Sequence, residues 1–163
     1  KKIISISLRK RTPPKINFNL RLVNLKREKP QFKNLKYKKI LKYLSKIDNS
    51  KSDIGLCSNK RIFETGTSNL LFVKNDKVFS PINKFYKGIT YKFFKSKIKN
   101  IVKKDIFVSS LKEFDEIILI GSGKGVASVK TINQIKWKRK SLKFYNILSK
   151  HYKSAITNCV KFR

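Results

Sequence analysis

The sequence contains no methionine, one histidine, two cysteines and only nine acidic residues in 163 positions. Each shortage excludes something. Cys57 and Cys159 form no paired-thiol motif, and His151 cannot complete a zinc set with them unless a carboxylate joins. No metal site is therefore expected, and both cysteines read as free thiols in a reducing compartment. No apolar run nears the roughly 18 residues that cross a membrane, and no charged-apolar-small leader opens the chain. The expected setting is cytoplasmic, with no membrane partner. Starting at Lys1-Lys2-Ile3-Ile4 and lacking methionine, the sequence reads as a fragment missing an amino-terminal part. Its 40% hydrophobic content suffices for one domain with a real core, taken as residues 1–163.

What the chain has in excess is positive charge, a formal +32 from 41 basic residues. Alone, that points to nucleic acid or an anionic surface. Only seven of the 41 are arginine, however, and the 34 lysines keep company with Ile, Asn, Phe, Ser and Leu, the vocabulary of an AT-rich genome. Phosphate recognition favours the planar fork of arginine over a lysine point charge. A nucleic-acid-binding module is carried as the alternative, supported by interleaved Tyr and Phe, and it is not the favoured reading.

Periodicity outlines an α/β chain. Ile3–Leu8 alternates as a half-buried strand, and Ile16, Phe18, Leu20 and Leu22 recur at period two as a second. Leu35 to Ile47 carries one helical face. Short strands follow from Ile54, with turns at Asn59-Lys60 and Asn75-Asp76. From Gly88 an amphipathic helix is expected to carry Tyr91, Phe94, Ile98 and Ile101-Val102 on one side. Asp105–Val108 reads as a strand, Ser110 to Glu113 as a capped short helix, Glu116–Ile120 as an apolar strand, Val126–Ile132 as another, and Ser141–His151 as the last helix.

Three local features could carry chemistry. The glycines of Gly121-Ser122-Gly123-Lys124-Gly125 let backbone N–H groups approach an anion, and Ser122 adds a hydroxyl; a tight turn between strands is the plainer reading. Gly88-Ile89-Thr90 opens a helix, where unpaired N–H groups and the macrodipole favour an anion; Thr90 could equally be only a cap. Glu64 is a rare acid between Ile62-Phe63 and Thr65-Gly66-Thr67-Ser68-Asn69; a surface ion pair would also explain it.

Taken in order, these segments resemble the class IV pyridoxal-phosphate enzymes. Glu64 through Asn69 to Leu70-Leu71-Phe72-Val73 is similar to that family's Glu, small residues, Asn, apolar, Phe signature. Val78-Phe79-Ser80-Pro81 resembles its strand ending in Thr-Pro, Gly88-Ile89-Thr90 its Gly-Ile-Thr helix start, and Asp115-Glu116 with Ile117 to Ser122 its strand ending in Gly-Thr. Upstream, Leu35-Lys36-Tyr37 resembles the Leu-Lys-His of aminodeoxychorismate lyases. Tyr91 stands where an Arg often follows the Gly-Ile-Thr.

The resemblance implies a mixed sheet or pseudo-barrel flanked by helices, the large cofactor-binding domain of fold type IV enzymes. It implies pyridoxal 5'-phosphate, with Lys36 as the Schiff-base lysine and Lys33 as second choice. Glu64 would face the pyridine nitrogen, and the phosphate would fall to Gly88, Ile89, Thr90, Gly121 and Ser122, with Gly123 on the substrate side. The implied activity is aminodeoxychorismate lyase or amino-acid aminotransferase, with an amino acid or aminodeoxychorismate-like small molecule as substrate. A homodimer is implied for the complete protein.

Overall fold

The computed structural model of the chain describes residues 16–32 and 36–159. The expected strand over Ile3–Leu8 and the second-choice Lys33 lie outside them. β1 (Asn17–Asn24) runs through α1 (Lys38–Leu44) to β2 (Ser52–Ser58), and β1 and β2 are parallel, as a helical crossover requires. β3 (Arg61–Thr65) returns antiparallel through the turn at Asn59-Lys60, and β4 (Asn69–Lys74) and β5 (Lys77–Pro81) pair through Asn75-Asp76. All four turn residues have positive φ, the geometry whose twist matches two-residue hairpins.

After α2 (Ile89–Lys97) come β6 (Ile101–Lys104), β7 (Ile106–Phe107), β8 (Glu116–Gly121), β9 (Gly125–Ile132), β10 (Trp137–Lys138) and α3 (Lys143–Thr157). The described strands form one mixed sheet in the order β6-β5-β4-β8-β9-β1-β2-β3-β7, with β10 beside β9. β3 passes directly to β4 through a turn closed by the Thr65 N–H donating to Ser68 O at 2.8 Å. Four strands separate β3 from β4 in the sheet, so the sheet curls into a pseudo-barrel to bring them together.

Alternation divides the core. Leu70 and Phe72 of β4, with Ile117 and Leu119 of β8, point into the curl with Phe18, Phe114 and Trp137. Leu71, Val73, Ile118 and Ile120 point outward beneath α2 and α3, against Phe94 and Leu148. Both faces of these strands are covered, which is why they read as continuous apolar runs. A third cluster, Ile40 and Leu44 against Val23, Ile54 and Leu56, seats α1 on β1 and β2.

Several boundaries depart from the sequence reading, among them the first helix, which runs Lys38–Leu44 rather than Leu35 to Ile47, and the Asp105–Val108 strand, which is only Ile106–Phe107. Ile101-Val102 leave the helix face and form β6, parallel to β5, because β-branched residues gain more from an open strand edge than from extending a helix. Trp137-Lys138 form an unforeseen strand, with Trp137 Nε1 donating to Phe114 O at 3.0 Å. Ser110 does not cap its short 3-10 helix (Ser109–Glu113); its hydroxyl donates back to Phe107 O. α3 starts later and runs further than expected. It lacks a side-chain cap of its own; instead the buried Glu116 of β8 accepts the N–H groups of Phe144 and Tyr145, each at 2.9 Å.

Candidate functional site

The end of β3, the 65–68 turn, the start of α2 and the β8–β9 turn converge on a cavity of about 460 Å³. Asn69 organises one side. Its Nδ2 donates to Tyr86 O at 2.5 Å and its Oδ1 accepts the Gly88 N–H at 3.2 Å, which holds the chain entering α2 against the start of β4. A Cβ at Gly88 would sit 3.2 Å from that same Oδ1, so glycine lets the two segments approach. α2 has no acidic residue in its first turn, leaving the positive end of the helix dipole uncompensated there. Ile89 is 80% exposed and Thr90 buried, so what Ile89 can offer the cavity is its backbone.

On the opposite turn, Gly121 lies against the 65–68 segment. A Cβ there would meet Ser68 Oγ at 3.1 Å and Thr67 O at 3.3 Å. Ser122 follows and lines the cavity.

Glu64 is 3% exposed. Its Oε1 accepts Arg27 Nε at 2.9 Å, and its Oε2 has a 3.4 Å contact from the Tyr86 N–H. Burial pushes its carboxyl above the ordinary 4.5, against the downward pull of Arg27. Arg27 also donates to Gly66 O at 3.3 Å, and its guanidinium lies 6.0 Å from the centre of the Tyr37 ring.

Of the residues expected to form a site, Glu64, Gly88, Ile89, Thr90, Gly121 and Ser122 all line this cavity. Two do not. Gly123 sits at the hairpin tip, where an added Cβ would meet nothing within 4 Å. Lys36 lines a neighbouring pocket of about 1050 Å³ with Lys26 and Glu28, and Tyr37, the next residue, lines both spaces. Among the cavity residues that sequence reasoning missed is Arg27, the one that pairs with Glu64. The available signal was its type, an arginine among lysines and three residues before Pro30.

A curled mixed sheet with helices on its outer face, carrying a buried acid and two anion-ready turns at one cavity, defines the large domain of the fold type IV enzymes. Residues 3–132 match the model of the family described as amino-transferase class IV, and the chain belongs to that family. Among solved structures it is similar to the branched-chain aminotransferase of Thermoproteus uzoniensis with norvaline, at TM-score 0.77 and 13% identity, over 90% of this chain and 54% of that one. It is similar to the 4-amino-4-deoxychorismate lyase of Pseudomonas aeruginosa, at TM-score 0.68 and 14% identity, over 90% and 56%. A third likeness is the pyridoxal-phosphate form of the branched-chain aminotransferase of Thermobaculum terrenum, at TM-score 0.73 and 13% identity, over 86% and 51%. At these identities the likeness is one of fold. The chain spans little more than half the length of these proteins. No curated protein matches its sequence.

Proposed function

We propose that the chain is the cofactor-binding part of a pyridoxal-phosphate-dependent enzyme, an aminodeoxychorismate lyase or amino-acid aminotransferase. The observation that carries this reading is the convergence of Glu64, the Gly88–Thr90 helix start and Gly121-Ser122 on one cavity. The donor set suits the cofactor. A phosphate group takes the first-turn N–H groups of Ile89 and Thr90 and the Ser122 hydroxyl. With Arg27 on Oε1, the Oε2 of Glu64 holds only a long contact and has lone-pair capacity left for a ring N–H.

When bound, the cofactor supplies an aldehyde carbon for an amine and a protonated ring that draws electrons from the carbon being deprotonated. Glu64 then holds the proton on the ring nitrogen, and Arg27 favours its charged form against the burial that raises its pKa. Lys36 attaches the cofactor and moves the proton at the substrate carbon. Its place beside the cavity requires the segment around Tyr37 to turn inward. The substrate is an amino acid or an aminodeoxychorismate-like molecule, and Gly123, at the hairpin tip outside the cavity, would meet it only at the rim. The complete protein acts as a cytoplasmic homodimer. Among the described residues, no helix is long and apolar enough to cross a membrane, and the nucleic-acid reading rests on charge and aromatic content alone.

Borohydride reduction of the full chain with pyridoxal 5'-phosphate, followed by peptide mapping, tests the proposal. Label at Lys36, abolished in Lys36→Ala, is expected. Label at another lysine with Lys36 untouched would overturn the assignment.

A further inference from the structure

Besides Arg27–Glu64, the described residues bury one other ion pair, and it lies behind the cavity wall. Asp53 on β2 is fully buried. Its Oδ1 accepts the Ile54 N–H at 2.8 Å; its Oδ2 accepts Thr65 Oγ1 at 2.8 Å, Thr67 Oγ1 at 2.6 Å and Lys124 Nζ at 2.8 Å. Lys124 Nζ also donates to Thr67 Oγ1 at 3.0 Å and lies 4.8 Å from the centre of the Phe18 ring. The lysine side chain is only 11% exposed.

Removing both charges from water is costly, and a lysine in a hairpin turn could reach solvent by extending outward. Here it turns in and ties two turns together, 121–125 to 65–68. The same turns touch at Gly121. Ser122 therefore sits between a backbone contact on one side and a charged anchor on the other. A turn with glycines at 121, 123 and 125 would otherwise sample many conformations, and ordering it would be charged against ligand binding.

We infer that Lys124, held by Asp53 and Thr67, is a positioning residue that fixes Ser122 relative to the Gly88–Thr90 helix start, so that both grip one phosphate group. This rests on the cofactor reading above.

The test compares, in the full chain, the affinities for pyridoxal 5'-phosphate and for pyridoxal, which lacks the phosphate, by absorbance titration. Lys124→Met is expected to lose about tenfold for the phosphate form and little for pyridoxal, as Ser122→Ala should. Lys124→Gln, which keeps a donor toward Asp53 and Thr67, is expected to recover part of the preference and is the variant to use if Lys124→Met does not fold. A preference unchanged in whichever variant folds overturns the inference, even if the melting temperature falls. A wild-type chain with no preference for the phosphate form overturns the cofactor reading, and this inference with it.

Discussion

On one side of the cavity, the turns at 65–68 and 121–125 are tied by a single buried carboxylate taking four donors. On the other, the chain from Arg27 through Tyr37 to α1 meets Glu64 through one ion pair. α1 is seven residues long with no side-chain cap, and Phe32 and Leu41 are more than half exposed. The first wall is tied through charge and hydroxyl donors on one carboxylate, whereas the second rests on the apolar seat of α1 and on Arg27, which reaches Glu64 and Gly66 O. Anion donors need fixed spacing, because their contribution depends on ångström-scale geometry. On the proposal above, the second wall is the one that would bring Lys36 inward.

Breaking the first wall should cost most. Asp53→Ala leaves the Lys124 ammonium buried without its carboxylate, and a loss of about 3–5 kcal/mol in urea unfolding is expected. A loss under about 1 kcal/mol would mean that the wall is held by something else. The second wall should yield less to a single change: Arg27→Ala is expected to lose about 2 kcal/mol at neutral pH. That loss should vary with pH in a definite direction. Burial already raises the Glu64 carboxyl and Arg27 lowers it, so the variant raises it further. Protonation is then favoured in the folded state, and the stability it brings is fully present below 4.5 and lost as pH rises through the folded value. The deficit of Arg27→Ala against wild type should thus be present at pH 7 and fade toward pH 4. A deficit constant across that range would show that Arg27 acts by packing on Tyr37. Smallest of all, Ile89→Ser removes an exposed side chain from the cavity mouth and should shift stability by no more than about 0.5 kcal/mol, with cofactor affinity preserved because the backbone N–H remains.

The strands of the curl were legible as short unbroken apolar runs bounded by turn residues, because Leu70–Val73 and Ile117–Ile120 alternate between two faces that are both covered. The hairpin turns were legible because Asn and Asp tolerate the left-handed backbone that those turns demand. The cavity was legible in part, since Glu64, Gly88–Thr90 and Gly121-Ser122 occur in a recognisable order along the chain. Arg27 and Asp53 were not, because what distinguishes each is a partner 37 or 71 positions away, and no local pattern encodes that. Ile101-Val102 fit a helical face as well as a strand, and only the neighbouring β5 decides between them. Lys36 was placed by its neighbours in sequence, whereas its position relative to Glu64 depends on how the chain runs between β1 and α1.

The Glu116 carboxylate has a consequence for the order in which the molecule assembles. A 15-residue helix without its own cap or an acid in its first turn is marginal in water when isolated. Ser141 Oγ takes its first N–H, that of Lys143, at 3.0 Å, but the acceptor for the next two is on a strand 28 residues upstream, where Glu116 is held by pairing with β4. A peptide covering 141–159 should accordingly show little helical circular dichroism. α3 is therefore expected to form after the β4–β8 pair, and helix signal that appears no earlier than amide protection in β4 and β8 would check it.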